Sequence, residues 1–534
     1  MRISPVFAAL LGLGALAYGP TALAKGNLVF CSEGSPGGFD IAQYTTSIEN
    51  DAAEPLYNGL VEFERGATRV IPSLATGWDV SDDGLTYTFR TFRLRQGVKF
   101  HANKDFTPTR DFNADDVLLT FQRMLDPQHP FRVAYPAEFP YFVSMDLDKN
   151  IARVEKRDPY TVVFTLNSVD AAFIQNLAMG FASIVSAEYA TQLMASGRLS
   201  DFDQKPIGTG PFVFQRYQKD AQIRYRANPD YWDPQQVRLD QLIFSINTDA
   251  SVRVQKLRKG ECQVTVNPRP ADLKALAADP KINMLDQPGF NLGYIAYNVQ
   301  HPPFDQLQVR QAMDMAVNKA AIVKAVYQDA GQLAVNFMPP SQWSYDPSIR
   351  DAGYDPDKAR ALLAAAGVKP GTPITLWAMP VQRPYNPNAK LMAEMLQADW
   401  GKVGLDVKIV SYEWGEYIKR TKNGEHDVML LGWTGDNGDP DNWMGTLYSC
   451  GAIGSNNVSM WCDPEYDALV QQAKRITDPA ARTALYQQAQ QRMKQQVPIT
   501  PVAHSTVHQP LSVRVQDFKV SPFGRNSFSG VSVD

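Results

Sequence analysis

Residues 292–431 alternate between strand-like and helix-like stretches, and that alternation limits the chain to few architectures. Apolar strand patterns at residues 292–298, 374–379, 407–410 and 428–431 are separated by helical patterns at 307–327, 356–366, 389–403 and 414–422. Strands spaced by helices predict a parallel sheet with helices on its faces. Ligands of such sheets gather beyond the carboxyl ends of the strands.

Two loops meet that condition. Residues 380–387, P-V-Q-R-P-Y-N-P, follow the strand ending at Met379, and residues 432–442, G-W-T-G-D-N-G-D-P-D-N, follow the strand ending at Leu431. Taken alone, the first reads as a rigid Pro-rich connection and the second as an acidic turn. A calcium loop is excluded, because counting from Asp436 the third position is Gly438 and the twelfth is Leu447. Together the loops offer Arg383 and Asp436 at two strand ends, which suits a zwitterion. A guanidinium holds a carboxylate bidentately and a carboxylate accepts from an ammonium, in bonds that strengthen where water is excluded. Two fixed charges measure the ligand between them: an extended dipeptide spans roughly 7 Å and a third residue adds about 3.5 Å.

The N-terminal half reads as α+β. Strands are predicted at 27–31, 56–63 and 161–166, a hairpin at 78–89 around S-D-D-G, and helices at 113–124 and 171–179, the former with Asn113 as N-cap. Asp439 and Asp441 are assigned to the turn and to the start of the helix after it.

The first residues form an export signal: Arg2, an apolar core at 5–17, and Ala22-Leu23-Ala24 as cleavage site, so the mature chain is expected to begin at Lys25. Losing Arg2 takes the formal charge from −4 to −5 (51 basic against 56 acidic residues), a balanced surface that argues against nucleic acid or anionic lipid as partner. Four cysteines in an exported chain predict two disulfides, with three connectivities possible. Cys450 and Cys462 bracket a short loop; Cys31 and Cys262 are then the long-range pair. No cysteine spacing fits a zinc site.

An exported peptidase or glycosidase is the rival class. The chain carries no G-x-S-x-G and no H-E-x-x-H, and nothing selects a carboxylate pair. His504 and His508 lie four apart in a β pattern, roughly 13 Å along a strand, and are read as structural.

The runs W-D-V-S-D-D-G-L-T-Y-T-F, L-R-Q-G-V-K-F-H and N-A-D-D-V-L-L-T-F-Q-R within residues 74–125 resemble the large extracytoplasmic peptide-binding proteins that feed ABC importers, solute-binding family 5. So do P-I-G-T-G-P-F (206–212), N-P-D-Y-W (228–232), V-R-Q-A-M-D-M-A-V-N-K (309–319) and Y-D-P-D-K-A-R-A-L-L (354–363). One departure is a tandem T-F-R at 88–93, about three extra residues, where a bulge or extended turn is expected at Thr91–Arg93.

The resemblance implies an α/β fold with α+β portions: the two-lobed periplasmic-binding-protein fold of the large cluster C type, with an accessory domain. After the signal peptide at 1–24, lobe one takes residues 25–287 plus 505–534, with the accessory unit at about 60–193. Lobe two is 288–504. The two loops are similar to those of the dipeptide-binding branch, which implies Asp436 as ammonium clamp and Arg383 as carboxylate clamp, with Tyr385, Trp433, Thr434 and Gly435 as neighbours. An N-terminal loop, Tyr44 followed by Thr45, Thr46 and Ser47, faces the ligand in such proteins. The implied function is a periplasmic, monomeric binder that delivers dipeptides, or also tripeptides, to an inner-membrane ABC permease, without cofactor or metal. Longer peptides, haem or a nickel chelate are the alternatives within the family.

Overall fold

The computed structural model describes residues 26–81, 86–89 and 94–534. The expected signal peptide and the bulge at Thr91–Arg93 lie outside the described residues. The chain folds as mixed α/β around two apolar cores. One is built from residues 28–266 and 511–531, the other from residues 290–503 with Phe523. Both are threaded by one long sheet path.

In the first core the strand Gly26–Ser32 runs parallel to Leu239–Ile246 and to Val264–Thr265. Its alternation turns Leu28 and Phe30 fully inward. Cys31 is bonded to Cys262 and Cys450 to Cys462, the pairing expected from the sequence. A separate four-stranded sheet, in the order Asp79–Val80, Thr86–Phe89, Thr161–Leu166, Ile151–Asp158, lies against the helix Ala114–Leu125. Asn113 caps that helix in a reciprocal capping box with Asp116.

The predicted strand at 56–63 is shortened to Val61–Phe63. Pro55 starts a 3-10 turn, Glu54–Leu56, and the Leu56 carbonyl accepts from Gly210 N–H at 2.9 Å. A Cβ at Gly210 would come within 2.5 Å of the Leu56 carbonyl carbon, so the P-I-G-T-G-P-F turn claims the backbone that a strand would use.

In the second core Thr372–Trp377 pairs in parallel with Leu405–Val410 and with Val428–Thr434. The helix Ala389–Lys402 joins the first two of these strands and Trp414–Lys422 joins Leu405–Val410 to Val428–Thr434 on the other side of Thr372–Trp377. The sheet as a whole is mixed, however: Asn291–Tyr297 runs antiparallel to Val428–Thr434 and to Ile499–Ser512. Alternation fixes orientation only where one helix joins two strands, and a long run of helices and turns separates Tyr297 from Thr372. The helix predicted over 307–327 is also interrupted. Leu307–Met315 ends, and Lys319–Ile322 restarts because the Asn318 side chain accepts from Ala321 N–H at 3.1 Å; a π-turn, Val323–Tyr327, follows.

The chain passes between cores twice, side by side. Gly289 N–H donates to the Ser505 carbonyl at 2.9 Å, and Ser505 N–H donates to the Asn291 side chain at 3.0 Å.

Candidate functional site

Register places the two loops together. Trp377 lies opposite Met429 in the parallel pair; Arg383 is six residues past the first and Asp436 seven past the second. Both loops therefore leave the same sheet edge from neighbouring strands, roughly 4.8 Å apart. The strand that carries Asp436 is longer than predicted. Gly432, Trp433 and Thr434 still pair with Gly293, Leu292 and Asn291, so the loop proper begins at Gly435.

The two loops open onto a cavity of about 150 Å³ between the cores, small beside the roughly 300–1,000 Å³ of pockets for drug-sized ligands. Of the nine site residues read from the sequence, Asp436, Arg383, Tyr385, Trp433, Thr434, Thr45, Thr46 and Ser47 all line it. Gly435 does not. Its N–H donates to the Phe290 carbonyl at 2.8 Å, and a Cβ there would meet the Phe290 ring at 2.3 Å. It is a packing position that lets the strand end turn tightly.

Arg383 is 5% exposed, held in a tight turn by reciprocal backbone bonds with Asn386. Its guanidinium lies 4.9 Å over the Trp414 ring, and its Nη1 donates to Glu33 Oε1 at 2.6 Å. Its Nη2 is buried without a hydrogen-bond partner among the described residues. Such an orphan donor carries a desolvation cost that an incoming acceptor removes.

Asp436 is 8% exposed. Its N–H donates to Asn442 Oδ1 at 2.8 Å, but the contacts of its carboxylate with Asn442 Nδ2 and Arg525 are long, 3.5 and 3.7 Å. Burial pushes its pKa up to about 6, with the Arg525 charge opposing. A desolvated, weakly paired carboxylate is suited to accept from an ammonium.

The remaining walls come from both cores. Tyr141 hydroxyl donates to the Thr45 carbonyl at 3.2 Å and its ring meets Trp433 edge-on at 6.3 Å. Thr46 hydroxyl donates to Glu49, and Ser47 starts the helix Ser47–Ala53. Asp51 accepts from Asn526 N–H and Nδ2 at 2.8 and 2.7 Å, and burial pushes its pKa up to about 8. The helix Trp414–Lys422 lines a wall with Trp414, Ile418, Thr421 and Lys422.

Sequence reasoning missed Glu33, Tyr141, Arg525 and Asn526. Glu33 reads as part of a Gly/Pro-rich loop and pairs with a residue 350 positions away; no local pattern announces such a contact. Asp439 and Asp441 stay out of the cavity. Asp439 is held bidentately by Arg482 at 2.8 Å and accepts from Asp441 N–H; Asp441 opens the helix Asp441–Tyr448 near Lys474. His504 Nδ1 bonds the Asn291 carbonyl and His508 Nδ1 bonds Asp286, so each ring has its own partner.

Comparison with known proteins matches residues 69–455 to the sequence model described as "Bacterial extracellular solute-binding proteins, family 5 Middle". The chain is 68% identical over 531 residues to di/tripeptide-binding protein 1 of Pseudomonas aeruginosa strain UCBPP-PA14, covering 99% of this chain and 98% of that one. It is 50% identical to the dipeptide-binding protein of Escherichia coli K12, with all of both chains covered. The crystal structure of a dipeptide binding protein from Pseudoalteromonas sp. SM9913 in complex with Met-Leu superposes with a TM-score of 0.91 at 38% identity, covering 95% of this chain and all of that one. This two-lobed chain belongs to the bacterial extracellular solute-binding proteins of family 5, which are binders and not enzymes.

Proposed function

We propose that this protein captures dipeptides in the cavity between its lobes and delivers them to an ABC permease. One observation carries the reading: the unpartnered Nη2 of Arg383 and the weakly paired carboxylate of Asp436 are both buried and line one small cavity. Arg383 takes the peptide carboxylate and Asp436 the ammonium; Tyr385, Trp433, Thr434 and the 45–47 loop shape the walls, leaving side chains free to vary. The names of the relatives support the same ligand class.

Lobe one comprises residues 25–287 and 505–534 with the accessory unit at about 60–193, and lobe two residues 288–504. The paired crossings at Gly289 and Ser505 serve as the hinge, because closure there changes only a few backbone dihedrals. The mature protein works as a monomer in the periplasm after loss of residues 1–24.

Calorimetric titration with Ala-Ala tests the clamps. Asp436→Ala and Arg383→Ala are each expected to lose about 2–4 kcal/mol of binding, tens- to several-hundredfold, since each leaves a buried ligand charge unpaired. Unchanged affinity in both variants overturns the assignment.

A further inference from the structure

Three cations line the cavity, Arg383, Arg525 beside Asp436, and Lys422, and the last is used by neither clamp. Lys422 lines the same cavity as Arg383 and Asp436, at the far end of the helix Trp414–Lys422. Trp414, Ile418 and Lys422 follow at four-residue spacing on one helix face, and all three line the cavity. Trp414 lies under the Arg383 guanidinium, so Lys422 stands two turns away, roughly 12 Å along the axis. The Arg383 guanidinium and the Lys422 stem therefore start from opposite ends of that helix face.

Among the described residues no carboxylate pairs with the Lys422 ammonium. The charge that favours it is Glu138, an exposed side chain from the other lobe, and burial of Lys422 pulls its pKa below the usual lysine value. Ser455 lines the same cavity, and its Oγ is buried without a hydrogen-bond partner among the described residues. An ammonium short of an anion and a hydroxyl short of a partner thus face one space. The adjacent Asn456 is already committed, donating to Ser144 Oγ at 3.2 Å.

Resting on the dipeptide reading, we propose that Lys422, with the Ser455 hydroxyl, receives a carboxylate carried on a side chain of the bound peptide, so that this receptor favours peptides containing Asp or Glu. The main chain of a dipeptide has its two charges taken by Arg383 and Asp436. A third, side-chain charge is the anion that remains to be met. An acidic side chain restores the field that desolvation took from Lys422, whereas the isosteric amide supplies no charge.

The test compares acid and amide. Titration calorimetry of the mature protein with Ala-Glu against Ala-Gln, and Glu-Ala against Gln-Ala, is expected to show about a five- to tenfold preference for the acid in at least one pair. Lys422→Met is expected to bring that ratio to about one, and Lys422→Arg to retain it. Should Lys422→Met not fold, Lys422→Gln gives the same comparison. A wild-type ratio near one in both pairs overturns the assignment whatever the variants do, as does a preference that survives loss of the charge. Failure of the wild type to bind Ala-Ala strikes instead at the peptide reading itself.

Discussion

At Asp436, binding and stability pull in opposite directions, and pH separates them. Burial raises its pKa from 3.8 to about 6, so between those values the folded protein holds a proton that the unfolded chain has released. The charge therefore costs the fold nothing below pH 3.8 and its full penalty above pH 6. Asp436→Asn, which never ionises, is expected to match wild type near pH 4 and to exceed it by about 1–3 kcal/mol at pH 7 in chemical denaturation. Ala-Ala affinity should behave inversely: it rises in the wild type as pH passes through 6, because the ammonium needs the ionised carboxylate, and stays weak and flat in Asp436→Asn. Asp436 and Arg383 were legible because each sits in a motif at a strand end. Glu33 and Arg525, the charges that face them, were not, because ion pairing across 350 and 89 residues leaves no trace in local sequence.

Among the elements, the strand Val428–Thr434 does most to shape the cavity. Gly432 pairs with Gly293 across the two central strands, and both lie under Tyr385. A Cβ on Gly432 would stand 2.2 Å from the Tyr385 ring and 2.5 Å from the Leu292 carbonyl. The glycine pair is the floor on which the Arg383 loop lies. Gly432→Ala should therefore displace Tyr385, weaken Ala-Ala binding at least tenfold and lower stability by about 1–3 kcal/mol, readable by calorimetry and thermal melting. Periodicity located most strands and helices of this half, including Trp414–Lys422 end to end. It overran at 307–327, where the helix ends at Met315 and restarts at Lys319 because the Asn318 side chain accepts from Ala321 N–H. It also said nothing of strand direction at Asn291–Tyr297, which depends on a connection too long for a local rule.

Across the whole molecule, both charged contacts of the site bridge the two cores: Arg383 to Glu33 and Asp436 to Arg525. The first core is further tied by the bond between Cys31 and Cys262, which are 231 residues apart. Replacing both by alanine is expected to cost about 2–5 kcal/mol in urea denaturation, because the bond removes a very large loop from the unfolded ensemble. The strand Ile499–Ser512 runs through both parts of the sheet, pairing first with Asn291–Tyr297 and later with Ile282–Pro288. Only after it does the chain reach Phe523 in the second core and Arg525 and Asn526 at the cavity. Synthesis thus supplies these two cavity residues only after the long sheet of both cores. A chain stalled at Gly524 has the long sheet of both cores yet leaves Asp436 without Arg525 and Asp51 without Asn526. A working cavity is in this sense a sign that synthesis has passed Asn526, since the two carboxylates on its walls lack these partners before then.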